Sequence, residues 1–214
     1  MKVGIIGTGV VGQTLGTGLV NLGHTVKIGS RDASNPKLQE WVSANGERAS
    51  GGTFAEAAEF GEVLIVATHY EGTENALKLA GPDNFAGKVV IDATNPLSFG
   101  ADGPSLAVGF SDSAAEQIQR LLPGARVVKA FNIVPAALMI QPDLLGELPD
   151  MFICGNDQEA KQVVTDILTA FGWPPAIDLG GLQEARLVEP LGMVWIKYYF
   201  NTKNWQHAFK LIRK

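Results

Sequence analysis

One cysteine, three histidines and no long apolar run leave this chain of 214 residues few routes to chemistry of its own. Cys154 has no partner for an internal disulfide and no second thiol with which to hold a metal. His24, His69 and His207 stand far apart, at none of the short spacings that ligand pairs use, so no metal site is expected. No segment approaches the ~18 consecutive apolar residues of a membrane helix. The first strand pattern also begins where a secretory leader would stand. The expectation is a cytoplasmic protein with no membrane contact. Basic residues are in deficit, 17 Lys and Arg against 22 Asp and Glu for a net charge of −5. That balance gives no reason to expect nucleic acid or an anionic surface as partner. Neither repeat, low-complexity tract nor evident linker interrupts the chain.

What is present is an ordinary globular composition, 46% hydrophobic and 18% charged, enough for one domain with at most a small appendage. The N-terminal residues carry the strongest signal. A buried-strand run, Val3–Ile6, leads into G-x-G-x-x-G at Gly7, Gly9 and Gly12, followed by Val10, Val11, Leu15, Leu19, Val20 and Leu22 at helical spacing. Strand, glycine loop and helix in this order form a dinucleotide cradle. Gly7 makes the tight turn, Gly9 admits the pyrophosphate close to the backbone, and Gly12 lets helix and sheet approach.

The second strand, Thr25–Ile28, ends in Gly29-Ser30-Arg31, where NAD enzymes place an acidic residue for the ribose hydroxyl. A hydroxyl and a guanidinium suit a 2′-phosphate, so the cofactor is expected to be NADP(H). Lys37 is a candidate second cation. Asp32 offers the alternative NAD role, and its neighbour Arg31 argues against it.

Downstream the alternation continues. Helices are expected at Asn35–Ala44, Thr53–Phe60, Thr73–Leu79, Asp112–Leu122 and Asp157–Phe171, with a last one from Gln183 to Trp195 or on to Ile212. Strands are expected at Val63–Ala67, Val89–Asp92, Arg126–Ala130, Met151–Cys154 and Ala176–Leu179. Asn95–Val108 reads as a long irregular loop. The fold implied is α/β: a Rossmann-type, doubly wound, mostly parallel sheet with a small C-terminal α/β extension. The division expected is a dinucleotide-binding domain over 1–130 and a part over 131–214 that completes the acceptor pocket and provides the surface of an expected homodimer. Ligands of such sheets lie beyond the strand C-termini, which selects Gly7–Gly12, Thr68-His69-Tyr70, Thr94-Asn95-Pro96 and Phe131–Ala136.

On these residues the chain resembles the NADP oxidoreductases typified by the NADPH-dependent reductase of the deazaflavin coenzyme F-420. It is also similar to the cytosolic domain of the six-transmembrane metalloreductases. The segments that carry the resemblance are GIIGTGVVG, VKIGSRD, VVIDATNP, VVKAFNIVPA, MFICGND and IDLGGLQEARLVEPLGMVW, which span nearly the whole chain. The resemblance implies hydride transfer between NADP(H) and F-420 or a flavin (FMN or FAD). Thr8 and Gly9–Val11 would contact the pyrophosphate, Ser30 and Arg31 the 2′-phosphate, and Thr68 and His69 the nicotinamide ribose. Asn95 would join this cofactor set. Asn132, with Val134, Pro135 and Ala136, would flank the nicotinamide face, and Leu191, Gly192, Met193 and Val194 would close the pocket. The F-420 reductases carry His at the position of Asn132, whereas the metalloreductase domains carry Asn, as here.

Such a transfer needs no dedicated acid or base, and His69 and Asn132 are the candidates should one exist. Two other readings stay open. One is a dehydrogenase of a small hydroxy acid or imine: Gly192, Lys197 and Asn201 superficially resemble the helix motif of hydroxyacid dehydrogenases, but one extra residue turns Lys197 by about 100° off the needed face. An NADPH-sensing regulator could use the aromatic tail Trp195, Tyr198, Tyr199, Phe200, Trp205 and Phe209 as a partner surface. The blander reading of that tail, and the preferred one, is packing in the core or in a homodimer.

Overall fold

The computed structural model describes residues 1–101 and 103–212. Its first strand, β1 (Lys2–Ile6), is followed by α1 (Val10–Asn21), β2 (Thr25–Ser30), α2 (Pro36–Asn45) and β3 (Ala49–Thr53). After α3 (Phe54–Phe60) the chain crosses back for β4 (Val63–Val66), α4 (Tyr70–Ala80) and β5 (Val89–Asp92). A hairpin, β6 (Leu97–Gly100) and β7 (Gly103–Leu106), precedes α5 (Ala114–Leu121) and β8 (Arg126–Lys129). The remainder is α6 (Ala136–Ile140), β9 (Phe152–Gly155), α7 (Gln158–Ala170), β10 (Ile177–Asp178) and α8 (Ala185–Thr202).

Eight strands form one sheet in the order β10-β9-β8-β5-β4-β1-β2-β3. Neighbours are parallel throughout, except that β9 runs antiparallel to β8. This is the doubly wound fold expected, with β9, α7, β10 and α8 as its C-terminal extension. Helices cover both faces, so β4 and β5 are buried at every position, the pattern their unbroken apolar runs require. The chain reverses its direction of travel at β1, whose neighbours are β2 and β4, and so opens a crevice beyond the strand ends there.

Several expectations are corrected. β3 is unforeseen, since ASGGT has two glycines and almost no apolar alternation; it pairs along its whole length with β2. Thr53 caps α3 instead of belonging to it: its side chain accepts from the Glu56 amide while Glu56 returns to the Thr53 amide. α4 starts at Tyr70, one turn before Thr73. The loop Asn95–Val108 contains the β6–β7 hairpin, and the short α6 lies where only a strand end was expected. α8 passes Trp195 but stops at Thr202, where Lys203 turns left-handed at φ 57°. The tail then folds back: the Trp195 indole donates to the His207 carbonyl at 2.8 Å and stacks on the His207 ring. Cys154 is a packed strand residue, and burial pushes its thiol up to about 12.

Candidate active site

A cleft of about 820 Å³ lies over the carboxyl ends of β1, β2, β4 and β5, at the reversal point. One end is built by the glycine loop. Gly7 has φ 127°, and a Cβ there would stand 2.4 Å from the Ala67 carbonyl oxygen, so the turn out of β1 admits no side chain. A Cβ on Gly12 would meet the Gly7 oxygen at 2.3 Å, which fixes how closely α1 approaches β1. Gly9 differs. Nothing lies within 4 Å of its missing Cβ, and it stands at the N-terminus of α1, which has no side-chain cap. Open space before unassisted helix N–H groups suits an anion such as a pyrophosphate. The residues present therefore fit a dinucleotide.

At the end of β2, Ser30 and Arg31 line the cleft, Ser30 buried and Arg31 exposed. Asn35 lines it too; its side chain accepts from the Lys37 amide at the start of α2 and donates to Ser30 Oγ at 3.3 Å. Asp32 is otherwise engaged. The Ser34 amide and hydroxyl donate to it at 2.8 and 2.7 Å, and these bonds hold its carboxyl below the ordinary value. Lys37 is exposed and stands outside the cleft lining.

The other end is lined mostly by uncharged groups, with the exposed Glu71 in the first turn of α4 among them. Thr68 shares a 2.7 Å hydrogen bond with Thr73, and the exposed His69 precedes α4 as its N-cap residue. Beyond β5, Thr94, Asn95, Leu97 and Phe99 complete the wall. Asn95 is locked to Asn132: its Nδ2 donates to the Asn132 carbonyl at 2.8 Å, and Asn132 Nδ2 donates back to Asn95 Oδ1 at 2.9 Å. Asn132 Nδ2 also donates to the Val188 carbonyl of α8 at 3.1 Å. Phe131, buried at φ 66°, makes the turn that aims Asn132 this way, a conformation disfavoured for a bulky residue.

Thus Gly7, Thr8, Gly9, Val10, Val11, Ser30, Arg31, Thr68, His69 and Asn95 line one cleft. Gly12 and Asn132 support it from behind. The expected acceptor-side residues stand elsewhere: Val134 is buried, Pro135 and Ala136 are half-buried at the start of α6, and none of them lines this cleft. Leu191 and Met193 are half-buried on α8, and Gly192 packs on the asparagine pair; a Cβ there would come within 2.7 Å of Asn95 Oδ1.

The feature not foreseen lies directly beneath. Lys129, fully buried at the end of β8, donates to Asp92 Oδ2 at 2.9 Å, the Thr94 carbonyl at 2.6 Å and Glu189 Oε1 at 2.8 Å. All three ammonium protons are thereby satisfied. Asp92 also accepts from the Thr94 amide and hydroxyl, and Glu189 from the Ala114 and Ala115 amides at the start of α5. Burial opposes the Lys129 charge, but the two carboxylates outweigh it and hold the amine above its ordinary value. Burial pushes the Glu189 carboxyl up, against the pull of Lys129. A signal was available: VVID and RVVK each end a buried run in a charged residue, which stays buried only when paired.

Residues 2–96 match the family described as NADP oxidoreductase, coenzyme F420-dependent. The chain is 33% identical to the F420-dependent NADP reductase of Methanothermobacter marburgensis, over 95% of this chain and 94% of that one. It is 37% identical to a protein of Arthrobacter sp. fb24 described as a candidate F420-dependent NADP reductase, whose crystal structure superposes with a TM-score of 0.93 over all of both chains. Rat (Rattus norvegicus) metalloreductase STEAP3 is 35% identical over 89% of this chain, which spans only 36% of that longer protein. The glycine loop, the Ser30–Arg31 strand end and these likenesses agree, and the chain belongs to the family of NADP oxidoreductases that includes the F420-dependent NADP reductases.

Proposed function

We propose that the protein transfers hydride between NADP(H) and a deazaflavin such as coenzyme F-420, or a flavin-type acceptor. The observation that carries this reading is one continuous cleft. It runs from Arg31 past the α1 N-terminus to a wall of Thr68, Thr94, Asn95, Leu97 and Phe99. Bound NADPH supplies a hydride from its nicotinamide ring, and the chain's own residues need only hold and align. The α1 N-terminus and Gly9 take the pyrophosphate, and Ser30 and Arg31 read the 2′-phosphate. Thr68, His69 and Asn95 border the nicotinamide half. Asn132 and Gly192 act through Asn95, setting its side chain. Thr94, Asn95, Leu97 and Phe99 in the wall beyond β5 carry no charge, which suits the face of a planar deazaflavin or flavin ring.

We also infer a homodimer. Leu187, Leu191, Val194 and Tyr198 recur at helical spacing on α8, and Leu187, Val194 and Tyr198 are at least half exposed. An apolar stripe of this kind is self-complementary across a two-fold axis. Sedimentation of the protein and of Leu187→Glu should give a dimer and a monomer respectively.

The reaction is tested by following NADPH oxidation with F-420, FMN, FAD and a ferric chelate in parallel, with NADH as control. Turnover with F-420 or a flavin supports the reading. Reduction of the chelate alone, or of nothing despite NADPH binding, would reject it.

A further inference from the structure

We propose that Phe99 is the aromatic face on which the planar ring of the redox acceptor stacks, a role resting on the function proposed above. The β6–β7 hairpin is a two-faced ribbon. Leu97 pairs with Leu106, and Phe99 with Pro104, so one face is wholly apolar; Ser98 and Ser105, paired on the other, share a 2.9 Å hydroxyl hydrogen bond. Leu97 and Phe99, on the apolar face, both line the cleft. Pro104 is buried, α8 packs against β7, and the Leu97 amide donates to the Asn95 carbonyl at 2.8 Å. The Ala107 amide closes the base of the hairpin on Pro96 at 2.7 Å. The ribbon is therefore anchored while its Phe99 ring stays 67% exposed.

Among the described residues, Phe54, Tyr70 and the His69 imidazole are the other rings of the cleft; His69 is exposed at the N-cap of α4, where the proposed function sets it beside the nicotinamide ribose. Phe54 is buried at the start of α3, beside the end of β2 and so at the phosphate-reading end. Tyr70 is half-buried, and its hydroxyl is bonded to Gln117 of α5 at 2.9 Å. Phe99 lines the same cleft wall beyond β5 as Thr94, Asn95 and Leu97, none of which carries a charge. An exposed aromatic ring at the mouth of an apolar pocket gains by covering a flat partner, and offset stacking adds geometry to that gain. Phe99 takes part in no bond change. NADPH is oxidised to NADP⁺, and the acceptor ring gains one hydrogen with two electrons plus one proton from water.

The test is titration of oxidised F-420, and separately of FMN, into protein saturated with NADP⁺. Quenching of acceptor fluorescence reads binding without turnover, and acceptor KM is measured alongside. Phe99→Ala should weaken binding and raise KM roughly 3- to 10-fold, while Phe99→Tyr and Phe99→Trp stay within about 2-fold of the parent. NADP⁺ affinity should be the same in all four proteins. Because the ring is mostly exposed, the alanine variant should melt with the parent. Unchanged acceptor binding in Phe99→Ala would overturn the inference and leave the proposed reaction standing. Equal loss of NADP⁺ and acceptor binding would overturn it too, by showing that Phe99 shapes the cleft as a whole. Failure of the parent protein to bind either ring would overturn the proposed reaction and this inference together.

Discussion

Two side chains show how differently charge is used within a few ångströms of the sheet ends. Arg31 is exposed at the cleft edge, free to pair with a ligand, whereas Lys129 is buried with every proton committed. Arg31→Ala should raise the KM for NADPH roughly 10- to 100-fold, since charge-assisted bonds to a phosphate are the strong ones. NADH kinetics should scarcely change, and equal losses with both cofactors would remove Arg31 from the 2′-phosphate. Lys129→Met has another consequence. It leaves Asp92 and Glu189 buried without their cation, which should cost ~3–5 kcal/mol in urea unfolding. Because the folded-state value of Lys129 is raised, the stability that this amine contributes is complete at neutral pH. It declines only in alkali, as pH climbs through that raised value. A loss far below that range at neutral pH would mean that water enters to solvate the carboxylates.

At the scale of elements, the decisive junction is where α8 meets the ends of β5 and β8. Gly192 lets the helix backbone lie against the Asn95–Asn132 pair, and Asn132 is bonded to Val188 of the same helix. Gly192→Ala introduces a methyl group 2.7 Å from Asn95 Oδ1, and one of the two must shift. The shift falls on a cleft-lining residue. The expected outcome is a kcat about 10- to 100-fold lower with NADPH affinity retained, because small misplacements of reacting partners are costly. Steady-state kinetics beside a cofactor titration separates the two effects; loss of NADPH binding instead would show that α8 supports the whole cleft. The sequence marked Gly192 through a shared segment and a dehydrogenase-like spacing, whereas its reason here is a contact between residues about 60 to 97 positions apart in the chain.

For the molecule as a whole, α8 is tied to the Rossmann sheet by more than packing. Arg186 grips Glu116 of α5 with two bonds of 2.9 and 2.6 Å, and the guanidinium holds the Glu116 carboxyl below its ordinary value. The sign follows from linkage. A carboxyl lowered by folding contributes stability above its unfolded value, and that contribution is lost as pH falls through the folded one. Glu116→Gln should therefore lower the melting temperature at neutral pH by a few degrees at most, and the gap should close in acid. A gap that persists below the carboxylate range would assign the effect to lost packing instead of charge.

The alternation of apolar strands and helices, the glycine loop and the Ser30–Arg31 strand end were all readable from local patterns. Each is a short-range requirement: a turn that excludes a side chain, a close approach of helix to sheet, a strand buried on both faces. β3 escaped because two glycines and little apolar content give it no pattern; its neighbour β2 makes it a strand. The Asn95–Val108 stretch escaped because a hairpin of four-residue strands is marginal alone, and packing against α8 is what holds this one. Which side chains reach the cleft was likewise a tertiary decision. Asp92, Lys129 and Glu189 are separated by 37 and 60 residues, and only the pairing of β5 with β8 and the return of α8 bring them together. Local sequence carries backbone geometry and burial, so it named the fold and the cofactor. Charge pairing and the aim of Phe99 depend on which distant segments share a layer, and the folded chain alone decided them.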